Sequence, residues 1–295
     1  MPVVTMRELL EAGVHYGHHT SRWNPKMERY IYKKRHSIHV IDLRETVRGL
    51  VRAARFLSSI GEQGGQVILV GTKKQARTVV AEQAIRGGMH YVCERWLGGT
   101  LTNFNVVMSR VKRLKELEEM AETGEIAARG KKYASVLRRE TAKLRKNLQG
   151  IREMNRVPDA MIIIDPRREK NALREARCLN IPTICFQDTD SDPDDSDIVI
   201  PGNDDAMRSI QLICSKLVDA LLQGRARRPV APEEAEAAPA PEATEPTPEP
   251  AAAAEPEPGP EPEPPAEPPP DEPAAEPLEP EPEPKTEDPA KPAGA

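Results

Sequence analysis

Cysteine is scarce in this chain, and the four residues present, Cys93, Cys178, Cys185 and Cys214, show no C-x-x-C spacing. They read as small buried apolar side chains in a reducing compartment. Long apolar runs are missing as well: nothing approaches the roughly 18 consecutive apolar residues of a membrane span. The start, Met1-Pro2-Val3-Val4-Thr5, is not a charged region followed by an apolar run. The expectation is a soluble chain with no membrane partner, not secreted by the usual signal. Enzyme signatures are absent too. Val70-Gly71-Thr72-Lys73-Lys74 lies at a strand-to-helix turn whose N–H groups can hold an anion, yet it matches neither G-x-x-x-x-G-K-[ST] nor G-x-G-x-x-G. A structural turn, or one contact to an RNA phosphate, is the plainer use. There is no Gly-x-Ser-x-Gly elbow and no pair of carboxylates set as an acid/base couple. Asp188, Asp190 and Asp192 begin like a calcium loop, but Pro193 stands where glycine is required and Val199 where glutamate is. These absences argue against catalysis, a cofactor and a small-molecule substrate.

What is present is charge, unevenly divided. From Ala231 onward there are 19 acids and 2 lysines, so the chain's 47 acids and 42 Lys and Arg leave 28 acids and 40 bases in residues 1–230, about +12. A compact domain with that excess is expected to meet a polyanion. The last 65 residues hold 22 of the 30 prolines among Glu and Ala. With almost no large apolar side chain they cannot offset chain entropy, so residues 229–295 read as a disordered, extended acidic tail.

The cations concentrate in an arm. Val107, Val111, Leu114 and Leu117 recur at helical spacing, as do Tyr133, Val136, Leu137, Leu144, Leu148 and Ile151. Thr123-Gly124-Glu125 and Arg129-Gly130 mark a turn between the two stripes. Two narrow stripes joined by a turn can bury only each other, which predicts an antiparallel coiled-coil hairpin over residues 105–150. Its other faces carry Arg110, Lys112, Arg113, Lys115, Arg129, Lys131, Lys132, Arg138, Arg139, Lys143, Arg145 and Lys146 against six acids, a net +6.

Around the arm the pattern is α/β. Thr5 and Glu8 form a capping box opening a short helix that ends at Gly13, and Asp42 with Glu45 a second, opening a helix to about Gly61. A loop dense in aromatics, histidines and cations fills His15 to His36, and Ile38 to Ile41 is a short β-run. Strands are expected at Gln66–Val70, Met89–Cys93, Ala160–Ile164, Thr183–Phe186 and Ile198–Ile200. Helices are expected at Lys73–Arg86, Arg168–Leu179 and Asp204–Gln223. Alternation of this kind predicts a mostly parallel three-layer sheet, Rossmann-like or flavodoxin-like, with the hairpin inserted after the third core strand. The core is then residues 1–104 and 151–228.

Two further clusters carry cations. Arg44, Arg48, Arg52 and Arg55 share one side of the second helix with no carboxylate evident beside them, a stripe suited to phosphate. Arg22, Lys26, Arg29, Lys33, Lys34 and Arg35 alternate with Trp23, Tyr30 and Tyr32, pairing cations for phosphates with flat side chains for bases. A loop packed by its own aromatics is the alternative. His15, His18 and His19 could supply two metal ligands with a carboxylate such as Asp188. Loop hydrogen bonding beside a solvated acidic segment is the simpler reading, and no metal is expected.

Several strings carry a specific likeness: Met6-Arg7-Glu8-Leu9-Leu10-Glu11-Ala12-Gly13-Val14-His15-Tyr16-Gly17-His18, Trp23-Asn24-Pro25-Lys26-Met27, Ile38-His39-Val40-Ile41-Asp42-Leu43, Trp96-Leu97-Gly98-Gly99-Thr100-Leu101-Thr102-Asn103-Phe104, Val157-Pro158-Asp159-Ala160, Asp165-Pro166-Arg167 and Ile200-Pro201-Gly202-Asn203-Asp204-Asp205-Ala206. In order and spacing, from residue 5 to about 225, the chain resembles the bacterial small-subunit ribosomal protein S-two family. The resemblance implies a Rossmann-like domain with a coiled-coil hairpin and a cytoplasmic seat on the small ribosomal subunit. It also implies contacts with small-subunit rRNA and with neighbouring ribosomal proteins, S-one among them. The acidic tail inherits no role from it. The RNA-binding residues expected from all these readings are Arg22, Trp23, Asn24, Lys26, Lys33, Lys34, Arg35, Arg44, Arg48, Arg52, Lys73, Lys74, Arg95, Thr102, Asn103, Arg110, Lys112, Arg113, Lys131, Lys132, Arg138 and Arg139.

Overall fold

A computed structural model of the chain describes residues 4–124 and 130–228. The expected tail over 229–295, and Glu125 and Arg129 in the arm's turn, lie outside the described residues. Five parallel strands form the central sheet: β4 (Val67–Val70), β5 (His90–Val92), β6 (Ala160–Ile164), β7 (Thr183–Gln187) and β8 (Ile198–Pro201), in the order β5-β4-β6-β7-β8. That is the flavodoxin-like arrangement, in which strand order reverses between the first and third strands, here β4 and β6.

The inner strands β4, β6 and β7 are buried along their whole length, and their residues alternate between two cores. Val67, Leu69, Ala160, Ile162, Ile164, Ile184 and Phe186 join one cluster, with α2 (Leu43–Glu62), α3 (Arg77–Gly87) and α7 (Met207–Arg227). Ile68, Val70, Met161, Ile163 and Cys185 face the other, covered by α6 (Lys170–Cys178) and the base of the arm. Glycines set how closely the first layer packs. A Cβ at Gly49 of α2 would run into the Val199 carbonyl, and one at Gly224 of α7 into the Ser58 carbonyl.

Thr5 caps α1 (Met6–Glu11) with the predicted reciprocal pair, Glu8 N–H to Thr5 Oγ1 at 3.3 Å and Thr5 N–H to Glu8 Oε2 at 3.0 Å. At α2 only half of the expected box forms. Asp42 accepts from Arg44 N–H at 2.9 Å, while Glu45 pairs with Arg48.

Three expectations need correction. Residues 15–36 are not one loop: β1 (Tyr16–His19), a 3₁₀ turn (Pro25–Tyr30) and β2 (Ile31–Arg35) surround β3 (Ile38–Ile41) in an antiparallel sheet of order β1-β3-β2. Ile38–Ile41 therefore lies outside the parallel sheet, and the arm follows that sheet's second strand, not a third. Lastly, the arm helices α4 (Phe104–Glu122) and α5 (Lys131–Leu148) do not bury only each other. Val107, Val111, Leu114 and Leu148 are part of the second sheet core. Leu117, Ala134 and Leu137 form the small cluster shared by the two helices. Glu118, 8% exposed, ties the base together by pairing with Arg145 at 2.7 Å and Arg152 at 2.9 Å.

Candidate nucleic-acid interface

The antiparallel sheet presents the first basic surface. Lys33, Lys34 and Arg35 on β2 are all exposed, as is Arg22. They are brought round to β3 by His36 and Ser37, both with positive φ. Of the flat side chains expected to alternate with these cations, only Tyr32 is presented, 67% exposed with the Lys33 ammonium 5.6 Å from its ring centroid. Tyr30 is buried with Met27 and Val199, and Trp23 is half-buried, tilted against His39. Asn24 has a shaping role: its Oδ1 accepts from Lys26 N–H at 3.1 Å, and its own N–H donates to the Thr189 carbonyl at 2.8 Å. Lys26 is held by Asp192 at 2.9 Å and Asp194 at 2.8 Å.

Helix α2 and the arm give the second and third surfaces. Arg44, Arg52 and Arg55 are exposed and form no ion pair among the described residues, but Arg48 pairs with Glu45, so one carboxylate does stand in that stripe. On the arm, Arg110, Lys112, Lys131, Lys132, Arg138 and Arg139 are exposed and likewise unpaired among the described residues. Arg113 is occupied by Glu116 at 3.1 Å and Glu140 at 3.8 Å. Lys74 and Arg95 are exposed at the edges of the core.

The glycine loop before the arm is organised from within. Glu175 of α6, 9% exposed, accepts from Trp96 Nε1–H, Gly99 N–H and Leu101 N–H, each at 2.9 Å, and from Thr102 N–H at 3.3 Å. The carboxylate thus occupies the anion-binding concavity that these N–H groups make. Thr102 and Asn103 stay exposed at its rim. Glu175 was missed in the sequence because its partners lie more than seventy residues away and it reads as one more charge on an amphipathic helix.

At the carboxyl edge of the parallel sheet, where flavodoxin-like folds bind ligands, the chain has placed its own charges. Lys73, after β4, is 9% exposed, its ammonium 2.7 Å from Asp204, 2.6 Å from Asp205 and 3.7 Å from Asp165. Burial works against that charge, but the three carboxylates outweigh it and hold the ammonium above its usual range. Lys73 is therefore removed from any surface an RNA backbone could meet, a correction to its expected role. Helix α3 starts at Arg77 and not, as expected, at Lys73. Thr72 gives its N–H and hydroxyl to Glu169, whose own pKa is raised by burial. Asp165 sits at φ +60°, and its carboxyl is also pushed up by burial. A crevice lined this way repels a nucleotide phosphate.

The three candidate histidines separate. His18 Nδ1 lies 2.7 Å from Asp188 Oδ2 and Nε2 lies 3.4 Å from Asp205 Oδ2. The Asp188 contact, against the cost of burial, raises the His18 pKa to about 9. His19 instead contacts Ser21 Oγ at 3.0 Å. His15 stacks near Tyr16, its pKa lowered by burial. Asp204, which no sequence pattern singled out as a ligand, is 1% exposed, and burial with Asp165 nearby raises its pKa to about 8.

A family model described as ribosomal protein S2 matches residues 9–224, a span that takes in both sheets and both arm helices.

Proposed function

Because the chain belongs to the ribosomal protein S2 family, we propose that it is an architectural, non-catalytic part of the small ribosomal subunit that binds small-subunit rRNA through Lys and Arg contacts to phosphate. One observation supports this reading above the others. The cations divide into a set spent on internal carboxylates, Lys26, Lys73, Arg113 and Arg145 among them, and an exposed set without ion pairs among the described residues, on β2, on α2 and along the arm. Exposed like charges held on rigid elements repel one another unless a polyanion lies across them. In this reading the arm works as a coiled-coil lever carrying Lys131, Lys132, Arg138 and Arg139 away from the sheet. Lys33, Lys34, Arg35, Arg44 and Arg52 grip from the core. Neighbouring ribosomal proteins, S-one included, complete the seat in the cytoplasm.

The test is ultraviolet crosslinking of the chain in cell extract, followed by sedimentation. The expected result is RNA-linked protein in small-subunit particles, with crosslinked peptides from β2, α2 or the arm. A chain that migrates free and is indifferent to ribonuclease refutes the proposal. A nucleotide-binding role predicts stoichiometric ATP or NAD binding instead, and the acid-lined crevice at Lys73 argues against it.

A further inference from the structure

The carboxyl edge of the parallel sheet holds a group of side chains that RNA binding does not use. His18 comes from β1, Asp188 directly follows β7 and Asp204 follows β8, three places far apart in the chain. One ligand atom from each lies within 4.8 Å of the others. Two donors bound tetrahedrally at about 2.0–2.1 Å from one zinc-like ion stand roughly 3.3 Å apart, so the group needs only small adjustments to close on one.

Four further observations point the same way. Asp188 and Asp204 are each 1% exposed. Three carboxylates, Asp165, Asp204 and Asp205, lie around one ammonium, Lys73, and a fourth, Asp188, pairs with His18, so carboxylates outnumber cations in the group. His18 Nδ1 is held 2.7 Å from Asp188 Oδ2, which keeps the ring within the group, and the neighbouring His39, 8% exposed, has neither ring nitrogen in a hydrogen bond. Finally, the approach is built in. A Cβ at Gly17 would stand 3.0 Å from Asp188 Oδ1 and 2.9 Å from Thr189 Cγ2, and His18 N–H reaches Asp188 Oδ1 at 3.2 Å and Thr189 Oγ1 at 3.0 Å.

We propose that His18, Asp188 and Asp204 bind one divalent cation of the zinc class, which staples the N-terminal antiparallel sheet to the carboxyl edge of the parallel sheet. An imidazole with two carboxylates suits zinc better than magnesium, which prefers an all-oxygen shell. Asp204 keeps one oxygen on Lys73 and gives the other to the ion. The histidine nitrogen that binds the ion gives up its proton to solvent, so binding releases protons.

The test uses the full chain, stripped with chelator and then titrated with Zn²⁺ and, separately, Co²⁺. One equivalent of Zn²⁺ should survive gel filtration in the presence of excess Mg²⁺. The Co²⁺ form should show d–d bands without thiolate charge-transfer bands, a needed distinction in a chain with four cysteines. In long-range ¹H–¹⁵N spectra, the ring of His18 among the six histidines should shift on Zn²⁺ addition. Asp188→Asn and Asp204→Asn should each weaken binding by about tenfold or more. Loss of the metal on gel filtration, displacement by Mg²⁺, thiolate bands or an unmoved His18 ring would each overturn the proposal. The spectra of the unmodified chain decide the matter even if a variant fails to fold. None of these readouts depends on RNA, so the staple and the ribosomal reading can fail separately.

Discussion

Replacing Glu175 tests whether one carboxylate really organises the loop that launches the arm. In Glu175→Ala four N–H groups lose their acceptor. Two of them, the Trp96 indole and the Leu101 amide, belong to residues 7% and 2% exposed, where water cannot readily replace the missing partner; Gly99 and Thr102 are more open. At about 1–3 kcal/mol for each buried orphan, the two together cost roughly 2–6 kcal/mol. Helix propensity runs slightly the other way, since alanine favours α6 by a few tenths of a kcal/mol. Glu175→Gln keeps one oxygen, which can serve Trp96 and Gly99, but turns an amide N–H₂ toward the Leu101 and Thr102 amides. It should therefore leave one buried orphan and cost about 1–3 kcal/mol. Urea unfolding of both variants, followed by tryptophan fluorescence and circular dichroism, measures these losses at constant m-value. The account fails if the alanine variant lies within about 0.5 kcal/mol of the parent, the range of an ordinary surface change, or if glutamine is as damaging as alanine.

Other perturbations probe the remaining surfaces and cores. Changing Lys131, Lys132, Arg138 and Arg139 together to Gln should weaken binding to small-subunit rRNA and lower the slope of log K against log salt by about 0.7–0.9 for each phosphate no longer neutralised; filter binding across a salt series checks this, and an unchanged slope removes the arm from the binding account. Gly224→Ala should destabilise by about 1–3 kcal/mol, because the new methyl meets the Ser58 carbonyl at the α2/α7 crossing; a denaturation midpoint equal to the parent's would show that the helices separate freely. Burial pushes the Cys185 and Cys214 thiols up to about 12. At pH 8 in native buffer only the exposed Cys178 should react quickly with a thiol reagent, with all four reacting after unfolding.

The alternation of apolar strands and amphipathic helices was enough to read the three-layer class. Strands such as Ala160–Ile164 were legible to the residue because a run apolar on both faces has few other uses. The short antiparallel sheet was harder to see. Its strands of four or five residues carry exposed patterns, such as the nearly all-exposed β2, that give no periodic signal. The arm's stripe was visible but its partners were not, since the place of Val107 in the sheet core is a long-range fact that helical spacing cannot encode. Among the site residues, the cations of α2 and the arm lie on the exposed helix faces that helical projection gives them, whereas Lys33, Lys34 and Arg35, read as loop, stand on a strand. Lys73 was misjudged because nothing local shows that three carboxylates from distant turns converge on it.

That convergence also explains why fold alone is a poor guide to what this chain does. The flavodoxin-like strand order places a ligand crevice at the ends of β4 and β6, and in a nucleotide-binding protein the backbone N–H groups there stay free for phosphate. Here Thr72 gives its N–H to Glu169, the Lys73 ammonium is enclosed by Asp165, Asp204 and Asp205, and the loop before the arm gives its amides to Glu175. Each of these three positions holds an internal carboxylate. Internal carboxylates take up the Thr72 amide, the Lys73 ammonium and the amides before the arm, while exposed cations on β2, α2 and the arm form no ion pair among the described residues. On the proposed function the sheet that elsewhere supports catalysis is a rigid mount, and the internal ion pairs of its crevice set it apart from a nucleotide site.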